Sequence, residues 1–110
     1  MAYDEHLADR IREAVEGEPG LGEKRMFGGL AFLVHGNMAV AASSQGGLLL
    51  RSDPADAETL TGQPHVSRMV MRGRAMDGWL RVGTEALASD EELRHWVDVG
   101  LDHARSLPPK

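Results

Sequence analysis

Imidazoles and carboxylates are the groups best able to do chemistry in this chain, and its five histidines are His6, His35, His65, His95 and His103. A zinc-type helical site would set two of them four residues apart, with a further ligand to complete the shell. No pair has that spacing. His95, Asp98 and Asp102 share one helical face, but it lies beside or opposite an apolar stripe and reads as solvated surface, so no metal is expected. The serines Ser43, Ser44, Ser52, Ser67, Ser89 and Ser106 lack any GxSxG context. The chain has no cysteine, which excludes disulfides and a thiol nucleophile. Asp90, Glu91 and Glu92 sit where a helix should begin, and capping and the helix dipole account for them. No catalytic constellation emerges. Neither an enzyme activity nor a cofactor is expected.

Two further features could bind anions. Gly28 and Gly29 follow Met26 and Phe27, but GxxxxGK[ST] and GxGxxG are both absent, and an apolar strand pattern follows where a phosphate loop would need a helix. The glycines are better read as bending the first strand or admitting a close backbone approach. Between positions 64 and 83 stand Arg68, Arg72, Arg74 and Arg81 against Asp77 alone. Guanidinium groups suit anion recognition and interfaces. Arg68, Arg72 and Arg74 are therefore the candidate interaction surface, although arginines also guard outer strands against edge pairing.

Tyr3, Leu7, Ile11, Ala14 and Val15 recur at helical spacing, which predicts an amphipathic helix over 3–16. "LAFLV", "MAVAA" and "LLLRS" are apolar runs separated by glycine-rich turns, and they predict strands at 27–34, 38–43 and 47–52. Gly36 and Asn37 are the expected positive-φ residues of the first hairpin. "DPADAETLTG" predicts a short helix capped by Asp53, with Pro54 at its first position and Gly62 at its end. Two more strands are expected at 67–72 and 76–82, with Met69 and Met71 on one side and Arg68, Val70 and Arg72 on the other. Ser89 to Glu92 has the form of a capping box and opens a long helix carrying Leu93, Trp96, Val97, Gly100, Leu101, Ala104 and Leu107 on one stripe. Met26, Met38, Met69, Met71 and Met76 cluster in the strand region and are expected to fill core gaps. The order helix, three strands, short helix, two strands, helix predicts a two-layer α+β domain, a mainly antiparallel sheet packed against helices.

A chain of 110 residues fits one domain, residues 1–110, and should bury roughly two-thirds of its unfolded surface. No apolar run approaches the about 20 residues of a membrane span, and the acidic start "MAYDEHLADR" lacks a signal-peptide core. A cytoplasmic location is expected. The net charge of −5 weighs against broad nucleic-acid binding.

The stretch "RMFGGLAFLVHGNMAVAA", then "GLLLR", "GRAMDGWLRV" and "LRHWVDVGLDHA", resembles the N-terminal domain of the TfoX/Sxy family of competence regulators. Met26, Phe27, Gly28 and Gly29 form the family motif, and the similarity runs through nearly the whole chain. The resemblance implies helices on an antiparallel sheet and a regulatory role, since family members help switch on DNA-uptake genes alongside a catabolite-type activator. It carries no catalytic residues. Better-studied members bear a second, C-terminal helical domain, and this chain is expected to act as a stand-alone N-terminal domain. The leading expectation is a non-catalytic regulatory module with a protein partner, either another protein or a second copy of itself as a homodimer. One alternative is a small-ligand-binding protein or enzyme with a pocket near Gly28 and Gly29. Another is weak nucleic-acid binding through the strand 68–74, with direct binding of this kind the less expected outcome.

Overall fold

The computed structural model describes residues 3–26, 28–44, 46–71 and 73–109, with Met71, Met76 and Asp77 described by their backbone alone. The first helix, α1 (Glu5–Val15), starts where the Asp4 carboxylate accepts hydrogen bonds from the N–H groups of His6 at 2.9 Å and Leu7 at 3.2 Å. Those two donors would otherwise face the helix start unpaired. Its apolar stripe buries Leu7, Ala8, Ile11 and Val15.

Six strands follow: β1 (Leu21–Met26), β2 (Gly29–Val34), β3 (Asn37–Ala42), β4 (Leu48–Arg51), β5 (Val66–Met71) and β6 (Arg74–Val82). They form one antiparallel sheet in the order β1-β2-β3-β4-β6-β5. Between β4 and β5 a 3₁₀ turn (Pro54–Asp56) runs into the short α2 (Ala57–Thr61), and Asp53 accepts from the Ala55 N–H at its start. A second 3₁₀ turn (Thr84–Leu87) leads to α3 (Asp90–Ser106), where Ser89 Oγ accepts from the Glu92 N–H at 3.1 Å as the capping box requires. The predicted α+β class and antiparallel sheet are those observed, and the element order agrees apart from one further strand after α1.

The structure adds β1, which sequence patterning passed over. Leu21-Gly-Glu-Lys-Arg-Met has no alternation of apolar and polar residues, because this outer strand is exposed along nearly its whole length. Gly28 consequently turns the chain between β1 and β2, and Gly29 opens the second strand, not the first. Met26 pairs with Gly29, and Gly28 takes φ +76°, a value that residues with a Cβ rarely adopt. A Cβ on Gly29 would collide with the Ala42 carbonyl oxygen of β3. The close approach read from the sequence is therefore real, and the reversal at Gly28 is new. The next hairpin also differs by one residue. His35 (φ 50°) and Gly36 (φ 84°) make the turn, while Asn37 is the buried first residue of β3.

The sheet has two apolar faces. On one, α1 and α3 cover Leu30, Phe32, Val34, Val40, Leu48, Leu50, Leu80 and Val82. α3 lies against β3 because Gly100 has no side chain. A Cβ there would collide with the Ala39 carbonyl. On the other face Ala31, Met38, Ala41, Leu49 and Met69 are each at most 8 % exposed, with half-buried Met26 and Trp79 packed against them. Met26, Met38 and Met69 fill the space above two alanines, as expected of flexible thioethers.

Two polar links tie the helical layer to the sheet ends. The Glu18 carboxylate, with only 10 % of its side chain exposed, is held by the Arg105 guanidinium of α3. Asn37 Nδ2 donates to the Pro108 carbonyl at 2.9 Å, pinning the chain after α3 to the start of β3.

Candidate functional site

The arginine-bearing segment forms a hairpin whose two halves differ. β6 pairs with β4 only over Trp79–Val82, while it pairs with β5 both there and again at Arg74–Met76. Residues 69–71 and 74–76 thus form a two-stranded arm extending past the end of β4. The register jumps from Arg68↔Leu80 to Met69↔Met76, so the extra residues of the bulge lie on β6. The bulge is fixed by the Ser52 N–H, which donates to the Gly78 carbonyl at 2.7 Å. Beside it the Arg51 guanidinium lies 5.4 Å from the centre of the Trp79 ring, within cation–π range.

β5 is the last strand at this side of the sheet, with α2 packed against it. The other edge, β1, is guarded differently. It carries Glu23, Lys24 and Arg25, all exposed, and Arg12 Nε and Nη2 clamp the Glu23 carboxylate at 3.0 and 3.1 Å. Charged outer strands of this kind resist pairing with other chains. β5 instead exposes 62 % of Val70, more than any other large hydrophobic among the described residues.

The structure places the predicted arginines on this hairpin without gathering them into one patch. Arg68 is half-buried and engaged by a neighbour, and Arg74 is exposed. Strand alternation puts Arg68 on the side of Val70. The pairing of Met71 with Arg74 puts Arg74 on the side of Met69. Arg72 and the motif residue Phe27 lie outside the described residues. Of the remaining motif positions, Met26 belongs to the methionine face, and Gly28 and Gly29 build the first hairpin. Val70 was legible only as a member of an alternating run. Its exposure follows from β5 being outermost, which sequence order does not reveal.

Three surface clefts hold the remaining polar groups, and none of the three includes Gly28 or Gly29. The first, about 410 Å³, lies between the Pro54–Thr61 segment and α3 and brings together Ser52, Asp53, Asp56, Asp102, His103 and Ser106. Burial, and then the Arg51 charge, push the His103 imidazole below its usual pKa, against the pull of Asp53 and Asp56. Several of these groups already serve the fold. Asp53 caps the turn, Asp102 binds Arg105 at 2.8 Å, and Ser106 Oγ donates to the His103 carbonyl at 2.6 Å. Ser52 Oγ donates to the Asp53 carbonyl at 3.3 Å. The second cleft, about 480 Å³, contains His65, Glu85, Glu91, Glu92 and His95. His65 Nδ1 stands 3.9 Å from Glu85, and the His95 ring meets Trp96 edge to face. The third, about 250 Å³, is lined by Arg10, Glu13, Asp90 and Arg94, with Arg10 bound to Asp90 at 3.3 Å. His95, Asp98 and Asp102 are all exposed, as read from the helix face. Among the described residues no three His, Asp or Glu side chains are grouped to hold a metal ion, and no helix is long and apolar enough to cross a membrane.

Comparison with curated proteins finds no match. Comparison with protein families matches residues 13–104 to the TfoX N-terminal domain. That span runs from α1 through all six strands to the last turns of α3, and it contains both the glycine hairpin and the outer strand β5. The chain belongs to the TfoX N-terminal domain family.

Proposed function

We propose that this domain is a non-catalytic regulatory module that works by holding a protein partner. The observation carrying this reading is the difference between the two outer strands: β1 exposes Glu23, Lys24 and Arg25, whereas β5 presents Val70 to solvent. A well-exposed apolar residue on an edge strand is an arrangement native domains avoid unless the edge is used. Family membership supports a regulatory type of domain, and a cytoplasmic setting accords with a chain free of cysteine. The non-catalytic part of the reading draws on the largely structural employment of the polar groups in the Ser52–His103 cleft.

Crosslinking in cell extract followed by mass spectrometry tests the reading. A reproducible protein partner, or a second copy of the chain, is the expected result. Recovery of neither, with a metabolite screen that raises the melting temperature instead, would replace it with small-ligand binding.

A further inference from the structure

The sulfur chemistry of this chain rests on methionine alone, since cysteine is absent. Three of its six methionines, Met26, Met38 and Met69, line the sheet face opposite α1 and α3. They are not equally protected. Met38 is 3 % exposed and Met69 8 %, whereas Met26 is half-buried at the end of the outer strand β1. Oxidation of a side-chain sulfur follows its exposure. Met26 is thus the first of the three that a dissolved peroxide meets.

The strand register shows what Met26 does for β1. Lys24 pairs with Ala31, a residue of the methionine face, and strand alternation puts Gly22 and Met26 on that same side. Leu21, Glu23 and Arg25 face the other way, where Arg12 clamps Glu23. Met26 is therefore the one apolar side chain that β1 lays on the methionine face. The backbone beside it is also a fastening point. The His35 N–H donates to the Gly20 carbonyl at 2.9 Å, and such pairs recur at every second residue of an antiparallel ladder. In the register of β1 and β2 this makes Met26 and Gly29 a hydrogen-bonded pair, the one that closes the reversal at Gly28.

We propose that Met26 is a site of reversible oxidation by peroxides, and that its sulfoxide frees the hairpin end of β1 from β2. The thioether sulfur attacks one oxygen of hydrogen peroxide, so an S–O bond forms as the O–O bond breaks. The proton of the transferred hydroxyl passes to the departing hydroxide, which leaves as water. Sulfur is oxidised by two electrons and the peroxide is reduced. A flexible apolar side chain has become a polar one. The buried members of the face, Ala31, Met38, Ala41, Leu49 and Met69, offer no side-chain donor to its oxygen. The sulfoxide therefore turns to water, and β1 loses its apolar hold on this face. The strand that covers the edge of β2 thereby responds to oxidant.

The test treats the folded domain with hydrogen peroxide and maps oxidised methionines by peptide mass spectrometry, with amide hydrogen exchange read on the same samples. Met26 should oxidise severalfold faster than Met38 and Met69. Exchange of the Met26 and Gly29 N–H groups should rise severalfold while the β3–β4 ladder stays unchanged, and methionine sulfoxide reductase should restore the slow exchange. Met26→Leu conserves volume and keeps the other five methionines, and peroxide should leave its β1 exchange unaltered. Met26→Gln places a polar group there and should speed that exchange with no oxidant. Oxidation of Met38 or Met69 as fast as Met26, parent-like exchange at β1 in the Met26 sulfoxide, or loosening of Met26→Leu by peroxide would each overturn the proposal. Should the variants fail to fold, the parent's time course decides: exchange at Gly29 must rise in step with Met26 sulfoxide, and a rise that precedes it or never follows overturns the proposal.

Discussion

Replacing Gly100 by alanine sets two known effects against each other inside one helix. At an exposed helical position the change stabilises by about 1 kcal/mol, because glycine loses more backbone freedom on folding. At Gly100 the added methyl would overlap the Ala39 oxygen and stand 2.7 Å from Val40 Cγ1 and 2.9 Å from the Ala39 carbonyl carbon. All three atoms belong to the central strand β3, and two of them are backbone atoms that cannot rotate away. α3 must then retreat from the sheet, loosening Trp96, Val97, Leu101 and Ala104, which are all buried. Overpacking costs about 1–3 kcal/mol, and rigid backbone partners put this site in the upper part of that range. The net loss is about 1–2 kcal/mol, which lowers the melting temperature of a domain this size by about 5–15 °C. Thermal melts followed by far-ultraviolet circular dichroism would measure it. A Gly100→Ala domain as stable as the parent, or more stable, would refute the close seating of α3 on β3.

Three other perturbations probe the links between layers. Asn37→Ala removes the bond to the Pro108 carbonyl from a side chain only 2 % exposed, and should cost about 1 kcal/mol in urea unfolding while speeding carboxypeptidase trimming of the tail. Unchanged stability and trimming would show that the tail is held by something else. Arg105 hydrogen-bonds the Glu18 carboxylate and lowers its pKa, so the link stabilises the fold above the unfolded value and is lost as pH falls through the folded one. The melting-temperature gap between parent and Glu18→Gln should be full at neutral pH and close below about pH 4; a gap constant with pH would refute the link. His103 has the same sense in a higher pH window: its folded pKa is depressed, so the unfolded chain takes the proton more readily, and stability falls as pH drops from about 6.5 toward the folded value. Imidazole resonances should place its midpoint below that of a free histidine, and a midpoint at or above it would contradict the described surroundings of Arg51, Asp53 and Asp56.

Elements that bury one stripe or one face were readable before any coordinates. α1 and α3 place Leu7, Ile11, Leu93 and Trp96 where spacing predicts them, and Asp53 and Ser89 cap by short-range chemistry that leaves a local trace, whereas the helix expected from residue 3 begins only after its cap at Asp4. β1 left none, because a solvated outer strand has no face to bury and hence no alternation. The site was harder still. Arg68 and Arg74 could be assigned to one hairpin, but their opposite faces depend on the register beyond the β6 bulge. Likewise Ser52 and His103 meet in a cleft only because α3 crosses the end of β4, a long-range packing fact absent from local sequence. What carries the functional reading, the exposure of Val70 on β5, is a property of strand order.

The glycine hairpin bears on that strand order. β2, Gly29-Leu-Ala-Phe-Leu-Val, is almost wholly buried and apolar, and as an outer strand it would present an aggregation-prone edge. The reversal at Gly28 lays β1 along it, replacing an apolar edge with one bearing Glu23, Lys24 and Arg25. The reversal at Gly28 therefore has a direct structural use: it places a strand bearing exposed charges at one side of the sheet. Among the described residues no further strand pairs with β5. The two edges of the sheet therefore differ in what they present: β1 exposes Glu23, Lys24 and Arg25, whereas β5 exposes Val70.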